Sequence, residues 1–489
     1  MKTLHECLAE YSVSLKNKPA IIVKREILTY GELYTAICGF GEYLRSSGFR
    51  KGDFAVCRSS ATLDYWVAYF GVQIAGGVFV PLEKDVAEPQ MREIIKSFDK
   101  LGALIGGQQD EQLSRETGSI FVPASEVIKL SDRPYGEFEM PELDALGQIL
   151  FTTGTTGAAK GVMLSNKYIA SGTRSEIPHS RDTVMLLPTP TNHVLSVGRG
   201  TTLLIRGATV VFTDGLADLG EFYYALSEYG VNATTLTPSA LNYIIALTGE
   251  EFVKYDDKFV FIEIGGEKLP ASRQREFAEL MPHVRFFNMY ASTETSEICY
   301  YEFSRYGASD VRIGKPSAGN IIHFTDENCV DKVATKENPW FIAVESETHM
   351  LGYWKDEAAT KKVLFGDKVL MSDYGYTDDE GFICLAGRAG DVIISGGHKI
   401  NPTDVESAAI ATGLVEDCVC FGSPDETFGK LVTLHVVMKE GVPFDFVTLK
   451  NALSKHLEGF KNPQIIAQTD KVMRRPNGKI DRKFYSQIK

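Results

Sequence analysis

The feature that most constrains this chain is a loop rich in threonine and glycine, residues 151–162, which reads FTTGTTGAAKGV. It follows an apolar run at residues 148–151, so we expect it to leave the end of a β-strand. Three glycines let backbone N–H groups turn inward, four threonines add hydroxyl donors, and Lys160 adds a mobile positive charge. Together these groups predict a concave phosphate site, with a nucleoside triphosphate as the obvious ligand.

Two other interpretations of this loop can be compared with the sequence. A P-loop requires G-x-x-x-x-G-K-[ST], and counting from Gly154 the second glycine falls on Ala159, which excludes that motif. An ordinary surface connection rich in threonine and glycine has the same composition. The rest of the chain must therefore decide between a phosphate site and a plain connection.

Length and charge narrow the class of protein. At 489 residues the chain exceeds one compact domain, and roughly 150 residues per domain suggests about three cores. The 51 lysines and arginines against 64 aspartates and glutamates give a net charge of −13, which argues against nucleic acid as the main partner. An anionic substrate must then meet a local basic patch.

Cysteine spacing and hydropathy favour a cytoplasmic protein with reduced cysteines. The eight cysteines include no C-x-x-C pair and no nearby histidine cluster, so we expect neither a zinc site nor a disulfide framework. The N-terminus has no apolar run typical of a signal peptide. The longest apolar stretch, residues 65–82, contains Gln73 and Pro81 and predicts a buried helix followed by a strand rather than a membrane span.

Short β-rich runs alternate with longer stretches that have helical spacing, such as residues 30–47 and 89–98. This alternation predicts layered α/β subdomains with largely parallel sheets, in which function collects at loops beyond strand ends. The clearest predicted strands are residues 20–23, 54–57, 78–80, 120–122, 184–187, 209–212, 232–236 and 259–264.

Two segments after predicted strands carry candidate binding residues. Residues 187–199 contain two prolines and His193, although a lone histidine more often caps or packs near a helix start. Further on, Gly265 and Gly266 allow a flat ring to approach the backbone, and Tyr290 offers a stacking face. Thr293 and Glu294 form an oxygen cluster suited to magnesium, although a strand, turn and helix with one buried tyrosine also fits.

The last third of the chain predicts a small separate unit. Asp373 offers a two-oxygen acceptor for a pair of ribose hydroxyls, or it is a solvated aspartate in a turn. Small-residue clusters on both sides of residues 391–395 fit a domain boundary, and Asn401 followed by Pro402 predicts a helix N-terminus. A basic tail, which is most often simply solvated, presents Lys479 on a Pro-Asn-Gly turn.

In this order the motifs resemble those of the adenylate-forming superfamily: acyl-CoA synthetases, the adenylation domains of peptide synthetases, and beetle luciferases. The resemblance covers nearly the whole chain. It implies a large N-terminal domain of layered α/β subdomains at residues 1–387, a hinge at 388–390, and a small mobile α+β lid domain at 391–489. Gly390 fills the hinge position, where relatives usually carry aspartate or lysine; a plain turn glycine is the alternative.

The resemblance also implies roles for individual residues. Lys479, Glu294 and His193 would be catalytic, with Lys479 bridging the carboxylate and the α-phosphate and Glu294 holding Mg²⁺. The ATP phosphates would contact Thr152, Thr153, Gly154, Thr155, Thr156, Gly157, Lys160 and Thr293. Adenine and ribose would contact Gly265, Gly266, Glu267, Asn288, Met289, Tyr290, Asp373 and Arg388. The acyl pocket would contain His193, Val197, Gly198 and Ala291, and the thiol tunnel Ser395, Gly396 and Gly397.

The implied reaction has two steps: a carboxylic acid attacks ATP to give acyl-AMP and pyrophosphate, and a thiol then attacks the acyl carbon. We expect coenzyme A as the thiol, because no carrier domain follows Lys479. One alternative is a stand-alone ligase that loads an acyl-carrier protein. Another is a degenerate ATP-binding regulator, because Ala159 replaces the usual proline, Ala291 the usual glycine, and Gly390 the usual aspartate or lysine.

Members that activate amino acids place an aspartate near His193, and residues 191–198 contain no acid. An ammonium group needs a buried acidic partner to offset its desolvation, so we expect neutral or anionic acids rather than amino acids. Arg199 could favour an anionic tail or could face solvent.

Overall fold

The computed structural model describes residues 1–153, 159–174, 177–396, 398–425, 427–474 and 480–485. Contacts divide the chain into two compact units. The first comprises Met1–Ile321 and Val344–Val369, and the second comprises Ile322–Ala343 and Leu370–Lys489. The hinge expected at residues 388–390 lies within the second unit, and the domain boundary proposed there stays a prediction.

The strands of the described chain are numbered in chain order. They are β1 (Pro19–Val23), β2 (Glu26–Thr29), β3 (Phe54–Arg58), β4 (Val78–Leu82), β5 (Leu101–Gly106), β6 (Ile120–Pro123), β7 (Leu146–Thr153), β8 (Ala159–Ser165), β9 (Val184–Leu187), β10 (Thr209–Phe212), β11 (Ala233–Leu236), β12 (Phe261–Gly265), β13 (Arg285–Ser292), β14 (Ser296–Glu302), β15 (Arg312–Pro316), β16 (Asn320–Thr325), β17 (Trp340–Ser346), β18 (Gly352–Tyr353), β19 (Leu364–Phe365), β20 (Lys368–Thr377), β21 (Ile383–Arg388), β22 (Ile393–Ser395), β23 (His398–Ile400), β24 (Val415–Asp425), β25 (Gly429–Met438) and β26 (Ile465–Gln468).

The α-helices are numbered in the same way. They are α1 (Leu4–Ser14), α2 (Tyr30–Ser46), α3 (Leu63–Ile74), α4 (Glu88–Lys96), α5 (Glu111–Thr117), α6 (Val127–Leu130), α7 (Asn166–Ile169), α8 (Val194–Ile205), α9 (Leu219–Glu228), α10 (Pro238–Phe252), α11 (Ala271–Leu280), α12 (Phe303–Tyr306), α13 (Glu357–Val363), α14 (Pro402–Ala411), α15 (Phe446–Leu453) and α16 (Arg482–Tyr485).

The first unit contains two sheets. In one, neighbouring strands follow the order β15-β14-β13-β12-β11-β9-β10-β1-β2, and in the other β18-β8-β7-β4-β3-β5-β6. The pairs from β1 through β10, β9, β11 and β12 to β13 are all parallel, as are those of β4, β3, β5 and β6. The expectation of layered α/β subdomains with largely parallel sheets is confirmed, and all eight predicted strands are present.

Helix α3 joins the two sheets into one core. It is the helix expected within residues 65–82, and nearly all of its residues are buried. Trp66 stacks on Phe212 of β10 with ring centroids 4.3 Å apart, while Tyr69 meets Phe79 of β4 edge-on at 4.9 Å. Because one helix buries aromatic rings against both sheets, the core is a continuous layer between them.

Local capping chemistry explains where the predicted helices begin. Thr29 caps α2: its hydroxyl accepts from the Glu32 backbone N–H at 3.3 Å, and the Glu32 carboxylate accepts from the Thr29 N–H at 2.9 Å. In the second unit, Asn401 caps α14 by accepting from the Thr403 N–H at 3.2 Å, with Pro402 as the first helical residue. Both predicted helix starts are confirmed.

The second unit contains three groups of strands. Strands β16-β17-β20-β21 lie side by side in that order, β22 and β23 form a ribbon, and β24-β25-β26 form a sheet. Side chains of α14, α15 and β24–β26 share one apolar core, which includes Cys418 and Cys420. Val419 packs in a different cluster, which confirms the alternation expected of a strand. Among the described residues, no helix is both long and apolar enough to span a bilayer.

Gly314 of β15 is the glycine whose replacement we expect to disturb the sheet most. Its φ is +110°, and an added Cβ would lie 1.6 Å from the Tyr300 carbonyl oxygen of β14. We predict that Gly314→Ala lowers the free energy of unfolding by roughly 2–4 kcal/mol, because backbone strain and a backbone clash add. Gly118→Ala is the control, because Gly118 also has a positive φ, +65°, but has nothing within 4 Å of the added Cβ. Equal shifts of the two melting temperatures would contradict the clash.

Candidate active site

The predicted adenine residues lie at the carboxyl ends of two neighbouring parallel strands. Gly265 ends β12 and pairs with Met289 of β13, and an added Cβ on Gly265 would lie 3.1 Å from the Met289 Cε. Gly266, with φ +85°, turns the chain out of the sheet. Glu267 then accepts hydrogen bonds from the Ser239 backbone N–H at 3.2 Å and from the Ser239 hydroxyl. Asn288 and Tyr290 flank Met289 along the chain. The predicted adenine-binding residues therefore lie together at the carboxyl ends of parallel strands, where α/β folds bind nucleotides.

The base of the phosphate loop is a pair of antiparallel strands, β7 and β8, with Thr152 opposite Lys160. The Lys160 Nζ lies 5.0 Å from the centroid of the Tyr353 ring, within the range of a cation–π contact. Of Thr153 only the backbone is described. The tip of the loop, with Gly154, Thr155, Thr156 and Gly157, lies outside the described residues.

Tyr353 connects the phosphate loop to the predicted magnesium ligand. Its strand, β18, pairs with β8, and its hydroxyl donates to the Glu294 Oε1 at 2.9 Å. The Glu294 carbonyl accepts from the Met350 N–H at 2.7 Å, and the Thr293 carbonyl accepts from the Tyr168 hydroxyl at 3.0 Å. Burial, and then the neighbouring Glu294 charge, raise the pKa of Tyr353, so the phenol keeps its proton and acts as a donor.

Glu294 has the chemistry that a magnesium ion requires. Its side chain is partly exposed, and one carboxylate oxygen remains beyond the one that accepts from Tyr353. Hard oxygen ligands combined with substrate phosphate are the usual coordination of Mg²⁺. Glu294 therefore fits the role of magnesium ligand beside the phosphate loop.

The predicted acyl pocket is built on α8 and the turn between β13 and β14. Its cavity has a volume of about 630 Å³ with its open mouth included, and Gly198 and Ala291 line it as expected. Val197 does not line it, because its side chain is buried in the core of the first unit. His193 precedes α8 with an exposed side chain, and its Nε2 lies 3.5 Å from the Glu83 Oε1. His193 therefore lies outside the cavity lining, at the helix start.

Arg199 of α8 is buried and does not face solvent. Its Nε lies 2.7 Å from the Glu263 Oε2 and its Nη1 lies 2.5 Å from the Glu297 Oε2. Glu263, which is fully buried in β12, also contacts the His179 Nε2 at 2.7 Å and accepts from the Thr235 hydroxyl at 2.8 Å. Residues 191–198 contain no acid, but strands distant in sequence bring two carboxylates to Arg199, the residue that follows them.

Burial and ion pairing act in opposite directions on this cluster. Burial by itself lowers the pKa of Arg199, yet the charges of Glu263 and Glu297 outweigh it and raise that pKa. Burial by itself raises the pKa of Glu263, yet Arg199 and His179 outweigh it and lower that pKa. Both groups therefore stay charged inside the protein, where each compensates the desolvation of the other.

Within the second unit, the predicted ribose pair lies on two adjacent strands. Asp373 of β20 is opposite Arg388 of β21, and the Arg388 Nε donates to the Asp373 Oδ1 at 3.1 Å. Gly390 lies in the turn that follows, which is closed by the Asp391 N–H donating to the Arg388 carbonyl at 2.9 Å.

The predicted thiol-tunnel residues follow in the same unit. Ser395 is buried at the end of β22, and Gly396, with φ +54°, donates from its N–H to the Phe428 carbonyl at 3.0 Å. Gly397 and Lys479 lie outside the described residues.

Two profiles of known protein families match this chain. The profile of the AMP-binding enzymes matches residues 9–354, and that of the AMP-binding enzyme C-terminal domain matches residues 404–479. The fold and the matches define an adenylate-forming enzyme. The chain belongs to the AMP-binding enzyme family.

Individual relatives are distant in sequence but similar along their whole length. The chain is 26% identical to 4-coumarate–CoA ligase-like 9 of Oryza sativa subsp. japonica, over 93% of this chain and 86% of the relative. It is 24% identical to a long-chain-fatty-acid–CoA ligase of Yersinia pestis, over 98% and 93% of the two chains. The crystal structure of apo MatB from Rhodopseudomonas palustris superposes with a TM-score of 0.83 at 20% identity, over 99% and 98%. The expected fold class is confirmed.

Sequence reasoning missed three residues of the site. Tyr353 belongs to the segment LGYW at 351–354, which follows the family order but shows no role without its contact to Glu294. Glu263 is a single acid inside the apolar run 259–264, a signal that a buried partner exists. Glu297 follows Glu294 by three residues and carries no distinguishing pattern.

The importance of the hydrogen bond between Tyr353 and Glu294 can be tested by mutation. We predict that Tyr353→Phe lowers the rate of acid-dependent ATP–pyrophosphate exchange on the order of tenfold and raises the Mg²⁺ concentration needed for half-maximal exchange, because a hydrogen bond to a charged group is lost. Tyr229→Phe removes a hydroxyl that donates to the Lys24 carbonyl rather than to a carboxylate, and serves as the control. An unchanged magnesium titration in Tyr353→Phe would show that the contact is merely structural.

Proposed function

We propose that this enzyme joins a carboxylic acid to the thiol of coenzyme A by way of an acyl-AMP intermediate, with ATP and Mg²⁺. The observation that supports the proposal most directly is the course of the short segment from Met289 to Glu297. Ala291 of this segment lines the predicted acyl pocket, and Glu294 of the same segment lies beside the phosphate-loop strands. An acid bound in the pocket and the phosphates of ATP would therefore be held by one piece of backbone.

In the first step a carboxylate oxygen attacks the α-phosphorus, the bond to the bridging oxygen breaks, and pyrophosphate leaves. Attacker and target are both anions, so fixed cations and donors provide most of the acceleration. Lys160 supplies a positive charge at the base of the phosphate loop. When bound, Mg²⁺ supplies further positive charge to the phosphates, and Glu294 would hold it. By family resemblance, Lys479 bridges the carboxylate and the α-phosphate.

In the second step a thiolate attacks the acyl carbon, the carbon–oxygen bond to AMP breaks, and AMP leaves with both electrons of that bond. Coenzyme A is favoured as the thiol because the relatives from Oryza and Yersinia are both named CoA ligases. A ligase that loads an acyl-carrier protein would perform the same chemistry. Formation of a thioester with free coenzyme A, followed by mass spectrometry, supports the proposal, and its absence favours the carrier protein.

The role of Lys479 can be tested on the first half-reaction. We predict that Lys479→Ala lowers acid-dependent pyrophosphate exchange on the order of a hundredfold or more, because one preorganised charge near the reacting oxygens is lost. Lys471→Ala, an exposed lysine of the same basic tail, is the matched control. Exchange in Lys479→Ala at the rate of the unmodified enzyme would remove this lysine from the reaction.

Gly390 can be tested by comparing the two half-reactions. Nothing lies within 4 Å of a Cβ added there and its φ is not positive, so Gly390→Ala should be tolerated. Proline fixes φ near −65° and would hinder a hinge that must adopt two conformations. We predict that Gly390→Pro lowers thioester formation roughly tenfold or more while much of the pyrophosphate exchange is kept. An equal fall in both half-reactions would exclude Gly390 as the hinge.

A further inference from the structure

We propose that Glu297 selects acids whose acyl portion carries a neutral hydrogen-bond donor, such as a hydroxyl group, over plain hydrocarbon acids and dicarboxylic acids. This inference rests on the proposed function, because it names the substrate class of the same pocket.

The first support is the position of Glu297 in the pocket wall. Its side chain is 14% exposed, and it lines the same cavity as Gly198 and Ala291. Hydroxyl side chains continue this polar wall, among them Ser292, Ser296 and Thr202. The lining also contains apolar side chains, among them Val194, Leu195 and Met289. Within such a pocket an unpaired polar group costs free energy when a hydrocarbon covers it, so Glu297 disfavours a plain alkyl chain.

The second support is the backbone that brings Glu297 there. The pairing of β13 and β14 shifts register between Tyr290 and Ala291, and Ser296 adopts φ +61°. A non-glycine residue in this left-handed region costs about 1–2 kcal/mol, so the surrounding structure must enforce it. This turn brings Ser296 and Glu297 to the cavity in succession.

The third support is that the positive charge of Arg199 is already shared between two carboxylates. Its Nε faces Glu263, its Nη1 faces Glu297, and its Nη2 lies 2.7 Å from the Met289 Sδ. The Glu297 carboxylate still has an acceptor oxygen, since one of its oxygens faces Arg199 and the described residues provide no other partner for the side chain. Glu297 therefore offers the pocket an acceptor beside a cation that is already paired.

The charge balance then distinguishes three kinds of acyl substituent. Arg199 contacts both Glu263 and Glu297, His179 contacts Glu263, and Arg206 interacts electrostatically with Glu297. Both carboxylates are therefore already compensated, and the site has no excess negative charge to attract an ammonium. A second carboxylate would be repelled by Glu297. A hydrocarbon would leave Glu297 without a donor, and a hydroxyl would satisfy it at no cost in charge. Of the neutral and anionic acids expected from the sequence, this inference favours the neutral ones.

The test uses the full-length enzyme and matched acids. Butanoate, pentanoate and hexanoate are compared, each unsubstituted or with a terminal hydroxyl, carboxylate or ammonium group, in ATP–pyrophosphate exchange and in calorimetric binding with a non-hydrolysable ATP analogue. The variants are Glu297→Leu, which removes the acceptor, and Glu297→Gln, which keeps an amide oxygen. Glu302→Gln is the control, because Glu302 lies on the same strand, is paired with Arg285 and does not line the pocket.

We expect the unmodified enzyme and Glu302→Gln to prefer a hydroxy acid over its unsubstituted counterpart on the order of tenfold or more in kcat/KM, mostly through KM. Glu297→Leu should lose this preference, and Glu297→Gln should recover part of it. Three outcomes would overturn the inference. The unmodified enzyme could support exchange without preferring hydroxy acids, or it could prefer the dicarboxylate or ammonium series. Glu297→Leu could also keep the preference for hydroxy acids. If no acid supports exchange, the proposed function fails, and Glu297-dependent binding of hydroxy acids in the calorimeter then decides the inference alone.

Discussion

The buried ion pair between Arg199 and Glu263 determines where the main parts of the first unit's site can lie. Removing one partner of such a pair typically costs 3–5 kcal/mol, because the remaining charge stays buried without compensation. Arg199 is on α8 and Glu263 on β12, and Glu297 on β14 shares the same guanidinium. One side chain therefore holds a helix and two strands of the pocket in a fixed relation.

The ion pairs of Arg199 also affect the phosphate side of the site, through the short segment that joins β13 to β14. That segment starts at the adenine-side residue Met289, passes Ala291 and Glu294, and ends at Glu297, which Arg199 holds. Glu294 is also held from the opposite direction by Tyr353, whose ring contacts Lys160. Contacts at both ends of this nine-residue segment thus join the predicted acyl pocket, the predicted magnesium ligand Glu294 and the phosphate-loop strands.

Local patterns were sufficient to predict the elements and the order of the motifs, and long-range pairing was not. Strands β9 and β10 have the predicted bounds, α2 begins at its predicted first residue and α14 begins at its predicted cap, because each depends on neighbours within a few residues. The apolar run around Glu263 indicates that its carboxylate needs a partner, but not that the partner is Arg199. Alternation cannot show which strands become neighbours, so the sequence of residues 191–198 could not reveal the carboxylates near Arg199.

The same pairing connects Glu297, the proposed selectivity residue, to Glu294, the predicted magnesium ligand. Glu294 and Glu297 are three residues apart and are separated by Ser296, whose left-handed backbone leaves few alternative paths for the turn. A change at Glu297 would remove one of the ion pairs of Arg199. A shift of Arg199 would then move the end of β14 and the turn that carries Glu294. Substitutions that narrow the predicted acyl pocket are therefore best made on α8, at Gly198, where an added Cβ meets only the Val194 Cγ2 at 3.9 Å and the charged cluster stays intact.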